Sequence, residues 1–498
     1  MQRPSFHLTA ALAALLLLCA AATGARADNQ TSALTPLSPA GELPFRIELR
    51  QVDTAAMTLP TLHSFAAAEI DGKWILFGGR TNGLHGFQQT GSANFPTASQ
   101  NREVWVIDPA SGQSWHRSLA DPAAGLSASA FAALTIANTE SLQKGSRLYM
   151  VGGYGELAGG GLGTLGTLTA IDLPGMMNWA MGGAGSASAY VRQTSNAALT
   201  VTGGALVELD GRMQLVFGQN FQGGYTPGKT GIYTQQVRSF DLVDDGVTLS
   251  ASNFAATTPD ASYRRRDLNV VATMRPDGAG GFVKGATALS GVFTLDNGAW
   301  TVPVEIDAHG VPTMADPLAA GTFKQGFNGY ESATVGLFSK ATGTMHELLL
   351  GGISAQYLDE ASGLVGTDAN LPFVNDVTAV TIAADGSYSQ RHLVYFPTVL
   401  DQTGKRLLFG ANAHFFANEA LQSFENGVID LDSLTSVTTL GYVFGGIASN
   451  SPNTQGVAGA ITGASNLVFQ VVLVPVPEPS SAVLVLAGLG LFAWRRRR

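Results

Sequence analysis

A ring of small antiparallel sheets is the fold class this sequence predicts, and three observations carry it. Charge is sparse and glycine abundant, with 13% charged residues and 60 Gly in 498, a balance that suits short strands and tight turns better than helices. A glycine pair closes an aliphatic run again and again along the chain. After each pair comes a polar loop and then a second apolar run, often ending in Asp. One large all-β domain of stacked units can grow past the limit of a single core, so the length fits one toroid, a β-propeller.

The glycine pairs are Ile75-Leu76-Phe77-Gly78-Gly79, Tyr149-Met150-Val151-Gly152-Gly153, Leu348-Leu349-Leu350-Gly351-Gly352 and Tyr442-Val443-Phe444-Gly445-Gly446, with Leu215-Val216-Phe217-Gly218 a weaker copy. The following runs are Val104 to Asp108, Leu168 to Asp172 and Val237 to Asp241. The period varies, as in strand modules with loop insertions. These residues resemble Kelch repeats, the first copy best, from Lys73-Trp74 through Gly78-Gly79 and Asp108-Pro109 to Gly112 and Trp115. The resemblance covers roughly residues 45 to 474 and implies a Kelch-like β-propeller in which the paired glycines serve packing, since they admit turn geometry that a Cβ forbids.

Six blades are favoured, with first strands near 62 to 70, 128 to 136, 203 to 209, 268 to 275, 330 to 338 and 428 to 440. The fourth unit is the least regular, because Gly285 to Thr294 has no glycine pair. The segment from Arg406 through His414-Phe415-Phe416 fits no unit and is read as an insertion or a seventh blade. Phe45-Arg46-Ile47-Glu48-Leu49-Arg50 alternates apolar and charged residues like a half-buried strand. Open rings expose sheet edges, so this strand and Asn466 to Val474 are expected to share the closing blade.

The N-terminal residues 1–27 read as a cleavable signal peptide. Arg3 and His7 precede an apolar run from Leu8 to Ala22, and Ala25-Arg26-Ala27 forms an A-x-A site with Ala25 and Ala27 at the cleavage positions. Residues 28–44 form a linker. The only cysteine, Cys19, leaves with the signal, so disulfides and thiolate chemistry are excluded from the mature chain.

At the other end, residues 475–498, Pro477-Glu478-Pro479 precede an apolar stretch from Ser480 to Trp494 and the run Arg495, Arg496, Arg497 and Arg498. Arginines beside an apolar segment hold that side in the cytoplasm, and the prolines make a stiff hinge at the outer face. This tail resembles the PEP-CTERM sorting signal. The resemblance implies a membrane-anchored precursor, an exosortase-type processing enzyme as partner, and export to the surface or extracellular matrix in Gram-negative bacteria that make exopolysaccharide.

Without the signal and the arginine run, 22 basic residues face 37 acidic ones, a net charge of −15. Such a surface repels nucleic acid. No compact catalytic motif occurs, and the copper site of galactose-oxidase-like propellers needs a cysteine that the mature chain lacks. His63, His85, His116, His309, His346, His392 and His414 show no metal-ligand spacing, so no metal site is predicted. Acidic loops such as Asp241 with Asp244-Asp245, and Asp430 with Asp432, offer carboxylates and carbonyls of the kind that hold Ca²⁺, although strand ends and turns explain them as well. Tyr263, Arg264, Arg265 and Arg266 form the basic cluster of the body, read either as an edge strand protected by charge or as a polysaccharide contact.

The sequence therefore predicts an exported, surface-sorted binding or matrix protein that contacts exopolysaccharide or envelope proteins and catalyses nothing. The alternatives are a propeller lyase or glycosidase, which needs clustered carboxylates or a His/Tyr/Arg set in the central mouth, and a passive matrix spacer without a pocket.

Overall fold

The computed structural model describes residues 43–86, 91–226, 228–296 and 298–476. The signal with Ala25 and Ala27, and the sorting motif Pro477, Glu478, Pro479 with Arg495 to Arg498, lie outside the described residues. Among the described residues no helix is long and apolar enough to cross a membrane.

Six sheets form the body, each antiparallel along its main path, and the first strand of each lines a central channel. From the channel outward, the first blade is Ala66–Ile70, Lys73–Phe77, Glu103–Asp108 and Gln113–Ser118. The second is Glu140–Lys144, Arg147–Val151, Thr167–Asp172 and Val191–Ser195. The third is Ala205–Leu209, Arg212–Val216, Val237–Asp244 and Leu249–Ala256. Asn269–Pro276, Phe282–Leu289, Val304–Ile306 and Pro312–Met314 make the fourth. The fifth is Ala333–Ser339, Thr344–Ile353, Phe373–Ile382 and Tyr388–Tyr395.

The sixth blade closes the ring with strands from both ends of the body: Leu408–Ala417, Thr438–Ser449, Val468–Pro475 and, outermost, Phe45–Gln51. The expected closing pair forms in the register Phe45 to Pro475 through Gln51 to Phe469. Its alternation is the reason: Phe45, Ile47 and Leu49 enter the core shared with the fifth blade, while Arg46, Glu48 and Arg50 face water.

Two first strands fall elsewhere than the sequence predicts. Residues 128–136 are mostly a helix, Ala128–Thr135, not a strand; Ser127 Oγ accepts from the Ala130 N–H at 3.1 Å, and an alanine-rich run behind a serine cap favours that turn. The strand that lines the channel in this blade is Glu140–Lys144. In the sixth blade the innermost strand is the segment read as an insertion or seventh blade, and 438–449, not 428–440, is its second strand. Ile429–Asp430 instead adds in parallel to the inner strand of the fifth blade.

The glycine pairs sit where the second strand of a blade meets the loop leading into the next. The Gly79 N–H donates to Ile136 O at 2.9 Å, the Gly153 N–H to Val201 O at 2.8 Å and the Gly446 N–H to Leu62 O at 2.9 Å. Their task is thus blade-to-blade docking at the rim. In the third and fourth blades Phe217-Gly218 and Ser290-Gly291 take the place of the pair, all with positive φ.

Candidate functional site

Two residues before five of the inner strands, and within the sixth, the chain turns through one residue in the left-handed region: Ser64, Asn138, Gly203, Asp267 and Glu331, and Asn412 inside Leu408–Ala417, with φ of 55, 49, 68, 49, 24 and 55°. Asn, Asp and Gly tolerate this conformation, which explains most of the choices. The six residues form a ring around the channel axis. The Asn138 N–H donates to Ser64 O at 3.1 Å, Ser64 N–H to Asn412 O at 3.2 Å, Asn412 N–H to Glu331 O at 2.9 Å and Asp267 N–H to Gly203 O at 2.7 Å. Side chains join the other two steps: Thr202 Oγ1 donates to Asn138 O at 2.9 Å, and the Tyr330 hydroxyl to Asp267 Oδ2 at 3.1 Å.

Above this ring lies a mouth cavity of about 720 Å³, solvent included, and below it a channel cavity of about 890 Å³. The mouth is walled by Phe95, Tyr154, Phe221 and Tyr225, with His63, His85, Arg80 and Arg266 among them. The aromatic rings pack edge to face: Phe95 on Tyr154 at 5.2 Å, Tyr154 on Phe221 at 5.5 Å and Phe95 on Tyr225 at 5.4 Å. Tyr225 is held in the wall by Asn94, whose Nδ2 donates to its carbonyl at 2.8 Å.

Two guanidiniums reach the mouth, in different electrostatic situations. Arg266 is ion-paired: Nη1 donates to Asp267 Oδ2 at 2.6 Å and Nε to the Tyr233 hydroxyl at 3.0 Å. Arg80, only 3% exposed, donates to Asn82 Oδ1 at 3.1 Å and to Pro96 O at 3.2 Å, and its guanidinium lies 4.8 Å from the Phe95 ring. These partners are neutral, and burial lowers its pKa to about 10, so it stays charged at neutral pH. Both imidazoles are neutral: burial first, then Arg80, holds His63 at about 3, and burial with nearby Arg266 and Arg80 holds His85 at about 4.

The channel wall carries carboxyls that hold their protons. Burial, and then the neighbouring Asp267, raises Glu140 to about 8, although its Oε1 accepts from the Gly204 N–H at 2.9 Å. Burial, Asp267 and Glu140 push Glu331 well above the usual range; its Oε2 accepts from Asn412 Nδ2, which also donates to Ser64 Oγ at 2.8 Å. With both carboxyls neutral and Asp267 matched by Arg266, Arg80 leaves the mouth with one uncompensated positive charge.

Of the predicted basic cluster only Arg266 reaches this site, and the segment is not an edge strand. Tyr263 stacks on Phe217 at 5.3 Å and donates its hydroxyl hydrogen to Pro312 O at 3.0 Å. Arg264 donates to Phe293 O and lies 4.0 Å from the Tyr233 ring. Arg265 is 0% exposed and donates to Val302 O at 2.8 Å and Ser290 O at 3.1 Å, binding the loop between the third and fourth blades to the fourth. Three of the four residues thus act inside the fold.

The acidic loops are likewise occupied by protein groups. Asp244 accepts a bidentate pair from Arg192 at 3.0 and 2.9 Å, Asp241 accepts from Arg212 at 2.7 Å, and Asp430 caps the turn at Asp432. Among the described residues no group of three or more His, Cys, Asp or Glu is placed to hold a metal ion. Of the seven histidines the fold brings His63 and His85 together at the mouth and leaves the others apart. Sequence reasoning missed Arg80, Asp267, Tyr225 and the ring carboxyls. The available signal was a Ser, Asn, Gly or Asp two residues before four of the inner strands, obscured in the second blade, where the strand was misplaced, and absent in the fifth and sixth, where Glu331 precedes the strand and Asn412 lies within it.

Fold and site define the class: a six-bladed β-propeller with a polar ring across its channel and an aromatic, cationic mouth. Residues 475–498 match the model of the PEP-CTERM protein-sorting motif. The chain is therefore an exported propeller whose membrane-anchored precursor is sorted to the cell surface through that tail by an exosortase-type enzyme. No curated protein matches the chain. Among solved structures, one titled "Structure of YjhT" is 12% identical, with 85% of this chain and 98% of that chain covered and a TM-score of 0.42.

Proposed function

We propose that this is a surface binding protein whose propeller mouth engages exopolysaccharide, or another envelope component, outside the cell and without turning it over. The observation that carries this reading is the concave mouth above the closed ring, with aromatic walls and convergent polar groups, the usual build of a ligand site. A passive spacer would have no use for it. Many copies sorted to one surface raise the effective concentration, so weak single-site binding suffices. The test is retention of the mature protein on immobilised host exopolysaccharide, with Tyr225→Ala expected to reduce it; equal retention of both would remove the mouth from the reading.

The address has its own test. Exported protein is expected to lack residues 1–27 and Arg495 to Arg498 by intact-mass spectrometry, and intact Arg498 on released material would contradict tail processing. Replacing Pro477, Glu478 and Pro479 with alanine should strand the precursor in the membrane fraction. Unchanged release would remove any special role for the motif.

One observation favours a second reading, a polysaccharide lyase or glycosidase: Glu140 and Glu331, with raised pKa values, line the channel cavity below the ring, and such shifted groups concentrate at catalytic sites. Depolymerisation of the host polysaccharide by purified protein, read as new chain ends, would replace the binding reading with this one.

A further inference from the structure

We infer that the mouth is built for a carboxylated sugar unit entering end-on, with Arg80 receiving the carboxylate and the Phe95 and Tyr225 wall receiving the ring. The inference deepens the binding reading and rests on it. Its basis is the asymmetry between the two guanidiniums. Arg266 has its carboxylate already, in Asp267 at 2.6 Å. Arg80 is buried at the cavity wall with carbonyl-type partners only, and no described carboxylate pairs with it. A buried cation without a counter-charge is costly, and an anionic ligand relieves that cost.

The other charges at the mouth point the same way. His63 and His85 contribute no charge at neutral pH, and Glu140 and Glu331 hold their protons, so nothing on the wall cancels Arg80. A planar guanidinium matches a carboxylate with two parallel hydrogen bonds. The half-buried rings of Phe95 and Tyr225 beside it give the wall an apolar character that suits a sugar ring rather than a bare ion. The ring from Ser64 to Asn412, joined by backbone hydrogen bonds at four steps and by side chains at two, lies at the foot of the cavity, so the occupant enters from above as a terminal or free unit.

The experiment titrates the exported protein by calorimetry with glucuronic acid, glucose, the methyl ester of glucuronic acid, and acetate. Glucuronic acid should bind, glucose and the ester should bind roughly 10- to 100-fold more weakly, and acetate should give no measurable heat. Arg80→Gln should remove the preference for the acid over its ester while leaving the melting transition cooperative. Because Arg80 contributes to packing, Tyr225→Ala serves as a second variant; it should weaken acid and ester alike and keep their ratio. Equal affinity for acid and ester in the wild type overturns the inference. Acetate binding as tight as glucuronic acid also overturns it, since the site would then be a bare anion site. Retention on whole polysaccharide with equal affinity for acid and ester would sink this inference alone, whereas no retention and no titration signal would sink both it and the binding reading.

Discussion

Replacing Gly152 with valine is expected to destabilise the propeller by about 4 kcal/mol, from left-handed backbone strain and overpacking together. Gly152 has φ 65°, and a Cβ built there falls well inside van der Waals contact with the Val201 carbonyl oxygen. That carbonyl cannot retreat, because it accepts the hydrogen bond from the Gly153 N–H at 2.8 Å that docks the second blade on the loop leading into the third. Gly145 provides the comparison: its φ is 55°, but nothing lies within 4 Å of its Cβ position, so Gly145→Ala should cost only about 1 kcal/mol. Denaturant unfolding of both variants checks the pair. Equal, small losses would mean that the glycine pairs serve the turn and not the blade contact.

Replacing Glu140 with glutamine is expected to stabilise the protein at neutral pH, on the order of 3 kcal/mol at pH 7. Burial and the nearby Asp267 raise this carboxyl to about 8 in the folded state, against about 4.3 in the unfolded chain. Below the unfolded value both states hold the proton and nothing is lost. As pH climbs from there toward 8, the unfolded chain has released a proton that the folded protein keeps, so wild-type stability falls across that window and levels off above it. Glutamine retains an acceptor for the Gly204 N–H and has no proton to lose. Melting curves of variant and wild type should therefore coincide at pH 4 and separate up to pH 8. Parallel behaviour at every pH would place the Glu140 carboxyl in water.

Glu347→Gln should move stability in the same direction. This side chain is 1% exposed between the fourth and fifth blades, neither oxygen has a hydrogen-bond partner, and burial alone raises its pKa. Buried histidines such as His63 and His414, held at about 3 and about 4, act in the opposite sense, since the unfolded chain takes up protons below pH 6.5 that they refuse. They are common to wild type and variant and cancel in the comparison.

Much of the architecture was legible in the chain because it rests on short-range rules. Alternation in Phe45 to Arg50 marked a half-buried strand, and the need to seal a ring supplied its partner, which is the pairing observed. The glycine pairs located the second strands of four blades, since a left-handed turn after an aliphatic strand leaves a compositional trace. The inner strands were less legible. Residues 128–136 are small and apolar in a pattern that suits helix and strand alike, and only the burial of Ala130, Ala132, Ala133 and Leu134 together with the Ser127 cap decides for helix. Leu408 to Ala417 lacks a glycine pair because it is an inner strand, and its partner lies beyond a long loop that joins another blade.

By itself, then, the sequence determined the repeated sheets, the closing strand pair and the tail that addresses the chain to the surface, all of which depend on residues adjacent in the chain. Only the tertiary structure decided the site. Ser64, Asn138, Gly203, Asp267, Glu331 and Asn412 come from six different blades, and nothing in their local sequence announces that they meet around one axis. The same holds for charge. Arg264 to Arg266 look equivalent in the chain, yet Arg265 is sealed inside the fourth blade and Arg266 is matched by Asp267, while Arg80 stands in the mouth with no carboxylate partner among the described residues. Which cation is spent and which is available depends on burial and on partners distant in sequence, and those exist only once the ring has closed.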